Sequence, residues 1–478
     1  MERGVWRGAL CLAVAVVAAC SGTIQRAGDG DGAIGPADAA VDGLPQDDGP
    51  LQSDGPLQDD GPLQSDGELQ SDGPLQSDGQ LQNDGPLQSD APGQSDAPQS
   101  DGPPQSDAAV CGNLASRLRV TAVSVAPATV VVGSAAPWSN NRPIMIAPLA
   151  SGASRVAWAD SAGSVHVTSL DANDARQGAD TSTTGTEVRG FVAHDDGGAV
   201  LVVRNDEMHL VRLDNAGAVV FDRLIVGGGD RSITGAKWVD NWGHEGRLAW
   251  TGTQYLAYFG HTQNWGTYPA DDHQGDILQY LDASGNLAGG GWSWGCSHSL
   301  DVRLTMSGAT PGPVCLSDCY PGKGLYYNHN SLVFSDPSGN CGGSSNASLG
   351  GLVPSSGGFY LSFASAEGRS SSDVAIVSIS TSGTAGTPVW VTSTAGAQER
   401  APHLARYGAN LLVAWLDGAD QKAALVDPSG TVLAGPEVLP AQAAERDDFI
   451  NFANGDVGWA YAWGTMGELK VVRLTYCP

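Results

Sequence analysis

The chain has 478 residues, with 24 basic against 52 acidic side chains and a formal net charge of −28. The acid is unevenly spread: residues 21–108 hold eighteen acidic side chains against Arg26 alone, while residues 109–478 carry a net −12. Neither part has a Lys/Arg cluster, which argues against nucleic acid or an anionic lipid surface as a partner.

In chain order, Arg3 and Arg7 form a short positive n-region ahead of the apolar run Ala9 to Val17. That run is too short to span a bilayer as a stable helix. It ends in Val17-Ala18-Ala19-Cys20, with small residues where a cleavage site belongs. The segment resembles the lipobox of bacterial lipoprotein signal peptides. The resemblance implies that residues 1–19 are removed and that the Cys20 thiol is acylated. Each buried CH₂ of an acyl chain contributes about 0.8 kcal/mol, so a multiply acylated Cys20 anchors without a transmembrane helix. Ser21, and not Asp, follows the cysteine. By resemblance to the sorting rule of Gram-negative lipoproteins, this implies the outer membrane, with the chain facing the periplasm or the cell surface. The plainer alternative is an ordinary signal peptide with a chance cysteine.

Residues 20–108 read as a disordered acidic tether. The unit Asp-Gly-Pro-Leu-Gln-Ser recurs in it, for instance at Asp48–Ser53, Asp60–Ser65 and Asp72–Ser77. One leucine in six residues cannot offset the entropy of ordering the other five. The prolines and like charges favour an extended chain, and the segment reads as a spacer.

From Ala109 to Pro478 no stretch keeps an apolar period of 3.6 residues with caps. Short apolar or alternating runs bounded by Gly, Asp, Asn or Ser point to an all-β domain over 109–478. An internal repeat narrows the architecture. Its first half, a strand ending near a tryptophan, is seen at Trp158, Trp250, Trp415 and Trp459. Its second half is an Asp-x-x-Gly turn or a variant of it, marked by Asp171, Asp214, Asp282, Asp336, Ser380 and Asp427. Asp accepts backbone N–H bonds within such a turn, and Gly supplies positive φ. Successive marks lie 43, 68, 54, 44 and 47 residues apart. That spacing fits four-stranded blades of a β-propeller, seven in number, with six or eight also within its scatter.

The last strand, Leu469 to Tyr476, has no room for a following outer strand, whereas the apolar run Leu118–Val132 precedes the first repeat. Pairing the two would close the ring, with Cys111 and Cys477 placed to clip it. The chain resembles bacterial propeller-type surface lipoproteins over its whole length, a group with no single function, so fold does not give function. Of the other cysteines, Cys296, Cys315, Cys319 and Cys341 are expected to pair with one another and staple one long insertion in an oxidising compartment. Their spacing lacks the paired Cys-x-x-Cys of a zinc site, so no metal and no cofactor is expected.

The blade spacing stretches most across 238–341. This region holds six tryptophans within 57 residues and five of the nine histidines. The candidate ligand-binding residues are His261, Trp265, His273, Asp276, Trp294, His298 and Asp301. In the leading reading, Trp and His planes stack on sugar rings while Asp276, Asp301 and Asn264 accept hydroxyl hydrogen bonds. The alternative is a secreted hydrolase or lyase using His261, His298 and Asp276, or a metal held by His261, His273, His298 and Asp276. No nucleophile elbow accompanies them. The blandest reading makes the same residues packing and strand-joining groups. The sequence therefore leads to a membrane-anchored, monomeric recognition module for a glycan, cell-wall polymer or protein. A scaffold of an envelope complex is the further alternative. Asn346-Ala-Ser348 fits a glycosylation sequon that a bacterial lipoprotein rarely uses. The Asp-x-x-Gly turns lack the flanking residues of sialidase Asp-boxes.

Overall fold

The computed structural model describes residues 111–131, 143–240, 245–267, 271–299, 301–338, 341, 345–462 and 467–478. The segments expected to be a signal peptide and a tether, Cys20 among them, lie outside the described residues, as do Trp242 and His244.

The first strand, β1 (Leu118–Ser124), precedes the first blade in the chain. Blade 1 holds β2 (Met145–Pro148), β3 (Ser154–Ala159), β4 (Ser164–Leu170) and β5 (Thr181–Thr184). Blade 2 follows with β6 (Glu187–His194), β7 (Gly197–Arg204), β8 (Glu207–Asp214) and β9 (Val219–Val226). Blade 3 has five strands: β10 (Lys237–Trp238), β11 (Gly246–Trp250), β12 (Gln254–Asn264), β13 (Asp272–Asp282) and β14 (Leu287–Trp292). Blade 4 is built from β15 (Asp301–Ser307), β16 (Thr310–Ser317), β17 (Gly324–Tyr327) and β18 (Ser331–Ser335). β19 (Ala347–Ser355), β20 (Gly358–Ser365), β21 (Asp373–Ser380) and β22 (Val389–Trp390) make blade 5. Blade 6 comprises β23 (Glu399–Tyr407), β24 (Asn410–Asp417), β25 (Asp420–Val426) and β26 (Val432–Val438). Blade 7 takes β27 (Ile450–Asn451), β28 (Val457–Tyr461) and β29 (Glu468–Leu474) from the chain's end. Its outer strand is β1, so seven sheets form the ring of a β-propeller.

The first strands of successive blades pack against one another around the ring, so they line its centre. Strand directions alternate along the chain. The connections after second strands and those between blades therefore share one face, here called the upper. Turns after first and third strands lie on the lower face. Seven apolar clusters fill the seven gaps between neighbouring blades. Strand β7 shows why the apolar runs are continuous. Its Val200 and Val202 face blade 1, while Ala199, Leu201 and Val203 face blade 3. Side chains alternate across a strand, and here both faces are interior. Trp158, Trp415 and Trp459 sit on second strands and are fully buried between blades.

The turn motif holds at five of its six marks. In the turn after β8, Asp214 Oδ1 accepts from the backbone N–H of Ala216 and Ala218, both at 2.8 Å, and Gly217 has φ +82°. Two repeat assignments need correction. Asp336 follows the outer strand β18 and caps the next connection, accepting from the backbone N–H of Asn346 at 2.8 Å. The true third-strand turn of blade 4 holds Asn328 and His329, both at positive φ. Trp250 lies on the inner strand β11, because blade 3 places its second strand after it.

Ring closure follows the expected pairing. β1 runs antiparallel to β29, from Leu118 opposite Leu474 to Ser124 opposite Glu468. The turn after β4 supplies a clamp: Asp174, at φ +65° where other turns carry glycine, is fully buried. Its carboxylate accepts from Arg473 of β29 at 2.6 Å and from Arg119 of β1 at 2.6 Å. Cys111 and Cys477 are disulfide-bonded across 366 residues of chain on the lower face. The other two bonds are Cys296–Cys315 and Cys319–Cys341. They do not staple one insertion, as the spacing suggested; they tie together the upper-face connections around blade 4.

A layer of ion pairs plugs the ring. Acid-x-Arg opens the inner strands of blades 2, 3 and 4 as Glu187-x-Arg189, Glu245-x-Arg247 and Asp301-x-Arg303. The i, i+2 spacing puts each pair on one face. Arg189 bonds Glu187 at 2.8 Å, Arg303 bonds Asp301 at 2.6 Å, and Arg247 bonds Asp448 at 2.6 Å. Burial pushes the Glu245 and Glu445 carboxyls around this layer up to about 7.

Cross-linking a loop this long removes chain entropy from the unfolded state, by more than the roughly 4.7 kcal/mol that the chain-entropy relation gives for a 100-residue loop. Cys111→Ser should therefore lower the urea midpoint while leaving the native β spectrum intact. An unmoved midpoint would show that β1 pairing and the Asp174 clamp hold the ring alone.

Candidate functional site

Blade 3 rises above its neighbours. β12 and β13 are eleven residues each and pair from Gln254 opposite Asp282 to Asn264 opposite Asp272. The inner strand β11 covers only their lower half, and β10 joins the upper part beside Thr262 and Gln263. Outer strand β14 ends opposite Leu278. Beyond it, the connection to blade 4 continues along β13: Asp276 N donates to Cys296 O at 3.1 Å, and His298 N donates to Gln274 O at 2.9 Å.

Parity along this hairpin sorts the candidate residues. His261 lies directly opposite Gly275, and Gln263 opposite His273, so these four share one face. Trp294 packs over that face. A Cβ at Gly275 would come within 2.7 Å of its indole, so only glycine leaves room for the ring. The Trp294 ring then meets His261 edge-on at 5.6 Å, Trp265 edge-on at 5.1 Å and His273 at 5.9 Å between centroids. His273 and His298 are neighbours at 4.2 Å. Five of the sequence-selected residues thus form one cluster: His261, Trp265, His273, Trp294 and His298.

The rest are elsewhere. Asp276 is one residue out of phase with Gly275 and faces the other side of the sheet. There it accepts from Trp292 Nε1 at 2.9 Å and the Tyr258 hydroxyl at 3.0 Å. Burial pushes its carboxyl up to about 7, although both hydrogen bonds act to lower it. Asn264 also faces away and is fully buried, its Nδ2 donating to Arg231 O at 2.8 Å and its Oδ1 accepting from Gly266 N at 2.9 Å. Asp301 begins inner strand β15 and belongs to the ion-pair layer with Arg303. The set His261, His298 and Asp276 is therefore divided between two faces of one sheet. His261 is itself 1% exposed, and burial, with Lys237 adding to it, pushes its imidazole down to about 3. Asp276 does approach Cys296 and Cys315, but these two sulfurs are joined to each other and are not thiolate ligands.

Blade 4 completes the cluster with residues that the sequence reading did not select. Tyr320, in the connection between β16 and β17, accepts through its backbone oxygen from Ser297 N at 2.8 Å. Buried Asp318 of the same connection holds His298 Nδ1 at 3.0 Å. Ser297 Oγ lies 2.9 Å from His273 Nε2. Burial holds the His273 imidazole below the usual histidine range, and the adjacent His298 adds to this. His298 takes φ +39°, a sparsely populated backbone state for a non-glycine residue. Trp265, His273, Trp294, Ser297 and Tyr320 enclose a shallow depression of about 330 Å³ on the upper face. Trp265 is 50% and Tyr320 60% exposed, and no other Trp, Tyr or Phe among the described residues is as open.

No protein-family model matches the chain, and no curated protein matches it. Among solved structures it is similar to the WD40 domain of Pan2 from Neurospora crassa, at 11% identity and a TM-score of 0.41. That match covers 76% of this chain and 97% of the other.

Proposed function

We propose that the chain is a lipid-anchored recognition module that binds a glycan or cell-wall polymer on the aromatic shelf of its upper face. The observation that carries this reading is the convergence of Trp265 and Tyr320. The two exposed aromatics come from different blades, yet they flank one depression walled by Trp294. Open aromatic planes beside a polar floor suit a ligand with apolar faces and hydroxyl edges. His273 and Ser297 supply hydrogen-bonding atoms at the floor. Two disulfides fix the loops that carry these groups, which limits the ordering entropy lost on binding. Acylation at Cys20, removal of residues 1–19 and a spacer over 20–108 would display the ring on the outer membrane.

The test of the binding reading is retention of the purified protein, disulfides intact, on an array of glycans and cell-wall polymers, with and without chelator. Retention should be insensitive to chelator. Trp265→Ala should weaken it about tenfold, as loss of an aromatic contact costs on the order of 1 kcal/mol or more. Full retention by both Trp265→Ala and Tyr320→Ala would sink the assignment, and retention that needs a metal would redirect it to the histidines.

Anchoring has its own check. Cys20→Ser should move the chain from the membrane fraction to the soluble one, and unchanged fractionation would rule out the lipid anchor.

A further inference from the structure

The inner strands enclose a second hollow, distinct from the aromatic shelf and opening at the lower face. Pro148, Trp250, Pro354 and Arg406, all at or near the lower ends of inner strands, stand at its mouth. Its volume is about 540 Å³, within the range of about 300–1,000 Å³ usual for small-ligand sites. The wall is apolar, with Phe191, Leu248, Leu304, Leu352 and Phe449 contributed by different blades. The floor is the ion-pair layer.

What that floor offers is decided by how its hydrogen bonds are spent. Arg247 donates to Asp448 and to the carbonyls of Gly246 and Arg446. Arg303 donates to Asp301 and to the carbonyls of Val302, Leu349 and Glu445. Their side chains are 4% and 2% exposed, whereas Asp448 is 38% exposed although it is paired with both. The floor therefore presents a carboxylate oxygen, held in place by two guanidinium groups, at the end of an apolar funnel.

We infer that this cavity binds a small, uncharged, largely apolar molecule that donates one hydroxyl or amide N–H to Asp448. The charge balance selects against ions. Arg247, Arg303 and Arg446 stand against Asp448 and Asp301, so a cation gains no favourable net field for the hydration it loses. An anion reaching the floor meets the Asp448 carboxylate. A neutral donor loses least on entry and finds an ionised acceptor, and such a hydrogen bond is worth about tenfold or more in affinity.

The test is calorimetric titration of the full-length protein with four probes: 1-naphthol, 1-methoxynaphthalene, 1-naphthoate and 1-naphthylmethylammonium. The naphthol should bind, about tenfold more tightly than its methyl ether and than either ion. Leu304→Trp should abolish that binding by filling the funnel. Leu352→Phe, a milder change on the neighbouring blade, should weaken it, with the melting temperature of each variant confirming that it is folded. The inference is overturned if the naphthol fails to bind the wild type, or if folded variants bind it equally well. It is also overturned if the ether or either ion binds as tightly as the naphthol. Preference for naphthoate would transfer the site to Arg406 at the mouth.

Discussion

Completion of the last blade by the first strand is the constraint on which the rest of the molecule depends. Each of the seven apolar clusters lies between two blades, so no blade buries its own surface alone. The cluster between blades 7 and 1 draws Val123 and Val125 from the chain's beginning, Trp158 and Ile146 from blade 1, and Leu469 and Val471 from its end. Without β1 that interface loses part of its wall, and β29 becomes an open sheet edge. Asp174 shows how strongly the seam is reinforced. Its carboxylate, buried in a turn of blade 1, gathers arginines from both closing strands. Unpaired, that charge would be costly to bury. The closing contacts join residues more than three hundred positions apart, so they are non-local and expected late in folding.

Much of this was legible because turn chemistry is local. Asp214, Asp282 and Asp427 each fold an Asp-x-x-Gly turn in the same way, wherever the surrounding strands go. The blade count followed from that spacing, and the closing pair from a last strand with no outer strand after it and an apolar run, Leu118–Val132, before the first repeat. The failure at Asp336 has the same origin: a tetrapeptide can promise a bend without saying which strand precedes it. The ion-pair layer left a signal that the sequence reading did not use, acid-x-Arg at the start of three blades. Its burial, however, is a property of the closed ring and of no single strand.

The aromatic cluster was half legible. Abundance of Trp and His marked the region, and five of the chosen side chains do meet. Asp276 and Asn264 were misplaced for want of register. Once Gln254–Asn264 and Asp272–Asp282 are known to be two strands of one hairpin, parity alone sends both residues to the opposite face. Asp301 looked close in sequence to His298, but it begins a new blade and turns into the ring's centre. Tyr320 was missed because it reaches the depression from another blade, and only the packing of blades 3 and 4 brings it there. The two faces of the ring are thus used differently. The lower face carries the seam, with the first described residue, Cys111, bonded to Cys477. The upper face carries the disulfide-fixed loops and the open aromatics.

The most direct measurement is amide hydrogen exchange of the protein with and without the polymer it retains. The account predicts slowed exchange in 262–267 and 271–275, in 293–298 and in 317–323, all on the upper face around Trp265, Trp294 and Tyr320. Protection confined to the lower face, or to the inner strands around Asp448, would contradict it.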